Sequence, residues 1–422
     1  MKIAGANVVD PANTVIGTAG TPSTARDIFI SDKIISAADP GTGQSIKGGG
    51  CIAMAGALDI HAHLFGPSQL AHLTGAAFLE PYLSVDSVAE KCLKLGITFL
   101  VEAGLTNKQA EPINIGKEPP VDFAFLHLEN GGETAEDNFG FLTLKFVGDG
   151  GIEKFFNYAK DTPLTPHIHL PHLADNAGYE TLKTFIERLG GRRAHLSHLS
   201  HYAFAQKHGR LSLAVNETAQ ILNDNPNVTF DCSPIVFGKT CVFSVDGDAA
   251  KRAASVSGTE PVSHRGSPYW AAPYVYKKEN FVDSMLWISG IELALRVDDP
   301  ARFALSLDFP SGGDFSAYPE IIACLMDKEK RDKVFYGLNA EARVRSSLES
   351  IEREYSLYEI AAITRSSPAA ILGVKERGHL GIGAAADVVL YRESDDREKM
   401  FKNPQTVIKN GKVVYGNDAK VK

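Results

Sequence analysis

The most constraining feature of this chain is a regular alternation of strand and helix patterns between residues 56 and 310. β-rich runs return at intervals of roughly 20 to 45 residues, as expected of repeated βα units with a parallel sheet. Apolar residues at three- and four-residue steps predict helices over 84–95, 152–160, 179–189 and 213–223. The predicted strands cover 57–61, 97–103, 121–128, 141–147, 166–170, 193–199, 227–233 and 303–308. Eight such units predict an α/β fold, a TIM-type (β/α)8 barrel whose reacting groups lie at the carboxyl ends of the strands.

The two ends of the chain have a different pattern. Residues 1–53 contain short β-prone pieces broken by turn sequences, and residues 375–422 repeat this style. Asn410-Gly411 between two β-branched runs is a strong hairpin signal. We therefore predict a small β-sandwich built from residues 1–53 and 375–422, and the (β/α)8 barrel over residues 54–374. Residues 234–275, rich in Gly, Ser and Pro, are predicted to form a long loop after the seventh strand, and long loops in compact domains are usually functional.

Composition excludes several functional classes. The 422 residues carry a net charge of −8 with interspersed signs, whereas nucleic acids and anionic membranes favour a basic partner. No apolar run reaches the length of about 18 residues that spans a bilayer. The first residues lack the basic start and apolar core of a signal peptide, so we expect a cytoplasmic protein. Five scattered cysteines without a Cys-x-x-Cys argue against an iron–sulfur cluster or a structural zinc module.

His61 and His63 stand at the end of an apolar run that starts at residue 56. A β-strand repeats its side-chain direction every second residue, so both imidazoles are expected on one face. A His-x-His pair alone is equally compatible with two ordinary core or surface histidines. The apolar strand leading into this pair favours a metal clamp.

Lys145 and Asp308 each occupy the end of an apolar strand. A buried ammonium is costly, so the Lys145 amine must be paired, neutral or chemically altered. The alternative is a strand-end lysine that reaches solvent. Asp308 closes the last predicted strand, where a carboxylate can contact a metal and take the proton of a bound water.

Two histidine-rich strands lie between Lys145 and Asp308 in the sequence. In the first, His167 and His169 share a face, and the proline that follows leaves His169 nearest the strand terminus, with His172 in the next loop. In the second, strict alternation places His195 on one face and His198 on the other, unless a bulge intervenes. We take His169 as a ligand that His167 supports. In the second strand, alternation alone does not decide between His195 and His198 as the ligand.

In their order along the chain, these pieces resemble the amidohydrolase superfamily, whose members hydrolyse amides and related bonds with one or two divalent metals. His198-Leu199-Ser200 is similar to the His-Val-Ser that closes the sixth strand of cyclic amidohydrolases, which favours His198 as the ligand. More closely, the chain resembles the A subunits of formylmethanofuran dehydrogenase and of the bacterial formyltransferase/hydrolase complex. The segments that carry this resemblance include His167-Ile168-His169, Arg193-Ala194-His195-Leu196-Ser197-His198, Val236-Phe237-Gly238-Lys239-Thr240 with Asp246-Gly247, Asp308-Phe309-Pro310-Ser311-Gly312-Gly313, and residues 358–381.

The resemblance implies a dinuclear metal site. Its expected ligands are His61, His63, Lys145, His169, His198 and Asp308, with Lys145 carboxylated by CO2 so that the carbamate bridges two divalent ions. Nitrogen and oxygen ligands without thiolate favour zinc, and iron, manganese and nickel remain compatible.

The same resemblance implies an activity and partners. The expected reaction is hydrolysis of an N-formyl, formylmethanofuran-like or similar linear amide by a metal-bound hydroxide, with Asp308 as proton shuttle and His201 as a second catalytic residue. The expected partners are a small-molecule amide and, in a hetero-complex, formyltransferase or dehydrogenase subunits. Substrate contacts are expected from His172, His195, Lys239, Thr240 and Ser311.

Two other functions compete with this hypothesis. One is a cyclic amide hydrolase resembling dihydroorotase or hydantoinase, which the segment 308–318 disfavours. The other is a catalytically silent scaffold protein of a formyl-transfer complex. A scaffold would be expected to lose metal ligands first, and the expected set is complete in this sequence.

Overall fold

The computed structural model describes residues 1–13, 25–129, 140–158, 164–171, 177–245, 247–265 and 267–416. The strands β1 to β21 span, in chain order, Lys2–Val8, Ala25–Ser31, Ile34–Ser36, Ser45–Lys47, Cys51–Ala55, Ala57–Ala62, Ile97–Leu105, Asp122–Leu128, Thr143–Val147, His167–His169, Ala194–Leu196, Phe204–Lys207, Arg210–Leu213, Val228–Cys232, Gly238–Ser244, Val262–Ser263, Trp270–Tyr276, Phe303–Leu305, Val388–Arg392, Thr406–Lys409 and Lys412–Gly416. The helices α1 to α14 span Phe65–Thr74, Val85–Lys94, Asn107–Ala110, Gly148–Tyr158, Gly178–Leu189, Val215–Asp224, Gly247–Ser257, Phe281–Arg296, Tyr318–Met326, Lys328–Tyr336, Ala340–Val344, Leu357–Ala361, Ser367–Leu372 and Arg397–Lys402.

Eight parallel strands form the barrel, in the order β6-β7-β8-β9-β10-β11-β14-β18. The two outer strands meet through a parallel bridge between Ala62 and Phe309, and the His63 backbone N–H donates to the Phe309 carbonyl at 2.6 Å. Every residue of β7 is buried, as expected where both faces of a parallel sheet are covered. The predicted TIM-type barrel is confirmed, and each predicted strand overlaps an observed one.

The helices that pack around the barrel follow the predicted apolar periodicity. In α2, the buried residues Val88, Ala89, Cys92 and Leu93 recur at helical spacing, and the Ser84 hydroxyl caps the helix by accepting from the Ser87 N–H. This buried stripe packs against β7. Helices α4, α5 and α6 likewise overlap the predicted helical ranges.

Both ends of the chain contribute to one further sheet. Its strand order is β21-β20-β19-β5-β1-β2-β3, with β4 paired to β1, and it encloses a separate apolar core. The Asn410-Gly411 hairpin joins β20 to β21, and Asn410 adopts a positive φ of 47°. This sheet fits the predicted terminal domain, and its strand β5 ends one residue before the first barrel strand begins.

The region after the seventh barrel strand is not the loop that its composition predicts. Strands β15, β16 and β17 form an antiparallel sheet, and α7 packs against β15 and β17. The prediction of a long loop over 234–275 is therefore wrong for most of the segment. The prediction failed because residues 238–244 pair with residues 270–276, and a contact between such distant residues cannot be recognised from a composition rich in glycine, serine and proline.

A network of ion pairs joins the barrel to the terminal sheet. Asp122, at the start of β8, contacts Arg377 at 2.7 Å and Lys409 at 2.8 Å. Arg377 also contacts Asp387 at 2.6 Å, just before β19. Because Lys409 is buried, the carboxylate of Asp122 is needed to balance its charge.

Arg365 also connects the barrel to the terminal sheet through buried hydrogen bonds, and its replacement tests how much they stabilise the fold. Arg365 is only 2% exposed. Its guanidinium donates to the Ala55 carbonyl at 3.0 Å and to the Tyr391 hydroxyl at 2.9 Å. Arg365→Ala leaves these acceptors buried, so the free energy of unfolding should fall by about 3 kcal/mol in urea denaturation followed by circular dichroism. Arg188→Ala, which removes an exposed pair with Glu153, is the control and should leave the unfolding midpoint unchanged. Equal stability of the two variants would contradict the prediction.

Candidate metal centre

The predicted ligands lie together at the carboxyl end of the barrel strands. They come from β6 and the residue after it (His61, His63), β9 (Lys145), β10 (His169) and the segments that follow β11 (His198) and β18 (Asp308). His61, His198 and Asp308 each offer a ligand atom, and these three atoms all lie within 4.8 Å of one another. Residues far apart in the chain thus converge because all parallel strands point the same way.

The His-x-His pair aims both rings at one carboxylate oxygen. Nε2 of His61 and Nε2 of His63 each lie 3.6 Å from Oδ1 of Asp308. The opposite nitrogens face buried acids: Nδ1 of His61 lies 3.2 Å from Asp231, and Nδ1 of His63 lies 3.6 Å from Glu102. A carboxylate behind a histidine orients the ring, and here Nε2 of both rings faces the same side of the site as Asp308.

Lys145 is buried inside the barrel and does not reach solvent. It is 1% exposed, and its Nζ lies 3.3 Å from Nε2 of His61 and 2.8 Å from the Ser197 hydroxyl. Burial lowers the pKa of this amine to about 8, against the opposing charges of Asp231 and Asp308. A substantial fraction of the amine is therefore neutral near physiological pH, and a neutral amine is the form that combines with CO2.

His198 enters the site through an unusual backbone conformation. β11 ends at Leu196, and His198 has φ 50° and ψ 42° in the left-handed region. This turn, rather than strand alternation, brings its ring to 4.0 Å from the His61 ring and 5.0 Å from the His169 ring, measured between centroids. Left-handed conformations of non-glycine residues are costly and cluster at functional sites.

Asp308 is displaced from its strand in the same way. β18 ends at Leu305, and Asp308 has a φ of 47°. Its Oδ1 and the Nδ1 of His198 are buried and have no hydrogen-bond partner among the described residues. Unpaired buried polar atoms are costly. Two such atoms facing one space, with imidazole nitrogens beside them, form a donor set suited to a divalent cation.

Burial keeps four imidazoles of the site neutral. Burial lowers the pKa of His61 to about 3 and that of His201 to about 4, and it holds the pKa values of His169 and His198 well below the ordinary histidine range. Only neutral imidazole can coordinate a metal, so at neutral pH these rings need not release a proton first.

Asp231 and Glu102 are the main residues that the sequence prediction missed. Both are fully buried, Asp231 in β14 and Glu102 in β7. Glu102 accepts the backbone N–H groups of Leu64 and Phe65 at 2.6 and 2.8 Å, which fixes the turn after the His-x-His pair. The available signal was an acidic residue within an otherwise apolar strand, since such a residue is almost never buried without partners.

Beside the candidate ligands lies a cavity of about 180 Å³, and its lining includes Phe243 of β15, Tyr269 just before β17 and Tyr276 of β17; we call β15–β17 the capping sheet. The rings of Phe243 and Tyr269 stack with centroids 4.5 Å apart. His201 and Ser311 also line this cavity. The segment predicted to be a loop therefore forms an ordered aromatic wall over the site.

The other predicted substrate contacts lie elsewhere. His195 is fully buried behind the ligands, where it meets Asp231 and Thr229. Lys239 is exposed on β15, and Thr240 donates to the Pro310 carbonyl; neither is among the described residues that line the cavity. His172 and Asp246 lie outside the described residues.

A model of the Amidohydrolase family matches residues 211–415, which include the last two barrel strands and most of the C-terminal strands of the terminal sheet. The chain is 29% identical over 490 residues to FhcA of the formyltransferase/hydrolase complex of Methylorubrum extorquens, covering 98% of this chain and 88% of the relative. It is 25% identical over 509 residues to protein FwdA of Methanocaldococcus jannaschii, with the same two coverages.

The crystal structure of the FhcABCD complex of Methylorubrum extorquens with methylofuran aligns with a TM-score of 0.86 at 28% identity, over 98% of this chain and 88% of that chain. The resemblance predicted from the motifs is thus confirmed over nearly the whole length. Among the described residues, no helix has the length and apolarity needed to cross a bilayer.

Proposed function

We propose that this protein is a dinuclear metal amidohydrolase that cleaves an N-formyl amide of a methylofuran-like amine. The observation that carries the proposal is the convergence of Nε2 of His61 and Nε2 of His63 on Asp308, with the Lys145 amine 3.3 Å from the first of them. Similarity to a protein whose complex was solved with methylofuran supports the substrate class.

The residues proposed to hold the ions are His61, His63, Lys145 as its carbamate, His169, His198 and Asp308. Nitrogen and oxygen donors without sulfur favour zinc. When bound, such ions would lower the pKa of water and polarise the amide carbonyl. The carboxylate of Asp308 would take the proton from the attacking water and pass it to the departing amine nitrogen.

His201 has a chemistry that suits a secondary amide. One of its ring nitrogens bonds to the Ser233 backbone, which raises its pKa slightly against the larger lowering by burial. In the neutral ring, the nitrogen that bonds to the Ser233 backbone carries the proton and donates it to the Ser233 carbonyl. The other nitrogen, Nε2, is then an acceptor, and it is buried without a partner among the described residues. A formyl amide of a primary amine has an N–H to donate there. We propose that His201 orients this N–H.

The proposal includes an assembly. FhcA is part of a complex with three other kinds of protein, FhcB, FhcC and FhcD. We propose that this chain likewise works beside formyltransferase or dehydrogenase subunits, which would supply or consume the formyl amide.

Two measurements test the function. Metal analysis of the purified chain should find about two divalent ions per chain, with zinc foremost. Formate release should be faster from formylmethylofuran or a simple N-formyl amine than from dihydroorotate or hydantoin. A metal-free protein that still assembles with partner subunits would contradict the proposal in favour of a scaffold, and hydrolysis of cyclic substrates alone would overturn the substrate class.

A further inference from the structure

We propose that Asp231 is the positioning residue of the metal centre: it selects the metal-binding form of His61 and holds the backbone turn that presents His198. The proposal rests on the metal site proposed above and adds a specific function for a residue that is itself no ligand. Asp231 lies in β14, and its side chain is completely buried.

The contacts of Asp231 account for its whole hydrogen-bonding capacity. Oδ1 accepts from the His198 backbone N–H at 2.9 Å and from the Ser233 hydroxyl at 2.9 Å. Oδ2 faces Nδ1 of His61 at 3.2 Å and Nε2 of His195 at 3.3 Å. A carboxylate offers about four lone-pair sites, and four donors occupy them here. Asp231 is therefore saturated by the protein and leaves no oxygen free for a cation.

This arrangement fixes the tautomer of His61. Oδ1 of Asp231 receives the His198 backbone N–H, which can only donate, and Oδ2 faces the ring nitrogens of His61 and His195. A carboxylate surrounded by donors accepts and does not donate, so a neutral His61 places its proton on Nδ1. Its Nε2 lone pair then points toward Lys145 and Asp308.

The other oxygen supports the left-handed turn at His198. This conformation is energetically unfavourable for a non-glycine residue. The bond from the His198 N–H to Asp231 is to a charged acceptor, which makes it one of the stronger hydrogen bonds in proteins. One carboxylate on β14 thus controls a ring on β6 and a turn after β11, and these two imidazoles lie 4.0 Å apart.

Asp59 provides a matched control in the same barrel. It is also fully buried, but it accepts only from the His61 backbone N–H, the Ser306 hydroxyl and the Leu307 backbone. It contacts no imidazole nitrogen among the described residues. Oδ1 of Asp59 accepts both the His61 N–H and the Ser306 hydroxyl, and Oδ2 has no hydrogen-bond partner among the described residues, so the oxygen of an asparagine can keep both bonds.

The test compares Asp231→Asn with Asp59→Asn. In the first variant the amide NH₂ cannot accept from His61, so the ring is forced toward the form protonated at Nε2. Metal affinity measured by competition with a chromophoric chelator should then fall by about 10- to 100-fold, the range seen when a residue behind a ligand is lost. Asp59→Asn should keep the affinity of the parent.

A second readout does not need the metal. In apo protein with ¹⁵N-labelled histidine, the His61 ring should carry its proton on Nδ1 in the parent and in Asp59→Asn, and shift to Nε2 in Asp231→Asn. If Asp231→Asn does not fold, Asp231→Glu keeps the charge but misplaces the oxygens, and it should also bind metal more weakly.

An unchanged tautomer together with unchanged metal affinity in the folded Asp231 variant would overturn the proposal. Equal loss of affinity in the two Asn variants would also overturn it, because the effect would then be general to buried acids. A parent protein without metal affinity, but with the expected tautomer shift, would remove the proposed function and the metal centre, whereas the control of the His61 tautomer by Asp231 would stand.

Discussion

Lys145→Ala is expected to reduce the metal content from about two ions to one or fewer per chain and to lower kcat/KM by more than about 100-fold, the upper end of the loss seen for residues behind a ligand. The physical reason is that Lys145 is the central group of the site, with its Nζ 3.3 Å from a His61 nitrogen. Alanine would provide no amine for the proposed carbamate ligand, and it opens a space beside Ser197. The measurements are metal analysis after gel filtration and initial rates of formate release.

The control for this variant is Lys183→Ala, which removes an exposed lysine from α5 and should leave the metal content and kcat/KM unchanged.

Adding a short carboxylic acid such as propionate to Lys145→Ala distinguishes a carbamate ligand from a simple amine ligand. If the bridge is a carbamate, propionate should restore part of the metal content and rate of Lys145→Ala. Full metal content and full activity in this variant would remove Lys145 from the centre.

The fold was largely predictable because its signals are local. Buried parallel strands appear as short apolar runs, and their spacing by helical patterns leaves few arrangements other than a barrel. The same logic brought the candidate ligands to one end of the barrel, since Lys145 and His61 both lie at or near the ends of such runs. The β structure of the C-terminal segment was predictable for the same reason, because the hairpin signal Asn410-Gly411 is local and needs only two neighbouring residues.

The features that could not be predicted depend on long-range contacts. Strand alternation could not place His198, because its ring direction follows from a left-handed turn that the distant Asp231 stabilises. The capping sheet was missed because its pairing joins residues about 30 positions apart within a segment of loop-like composition. His195 was expected at the substrate, but in the structure its ring meets Asp231 and Thr229 instead.

Asp308→Asn is expected to separate metal binding from catalysis. The amide keeps the size of the side chain and one oxygen that can face the ions, but it cannot accept a proton. Burial, reinforced by the charge of Asp231, raises the pKa of Asp308 well above its usual range in the metal-free protein, so its carboxylate is readily protonated. The rate of formate release should fall by about 10²- to 10⁴-fold, the usual contribution of general acid–base catalysis, while the metal content stays close to that of the parent.

The neighbouring Asp314 supplies the matched control for this substitution. Asp314 caps a short helix by accepting the Ser316 N–H and pairs with Lys91 at 2.7 Å, away from the ligand nitrogens. Asp314→Asn should therefore retain the parental rate. If Asp308→Asn loses its metal, the aspartate acts mainly as a ligand; if it keeps both metal and rate, another group must move the proton. Only retained metal with a collapsed rate fits a carboxylate that carries the proton from water to the leaving amine.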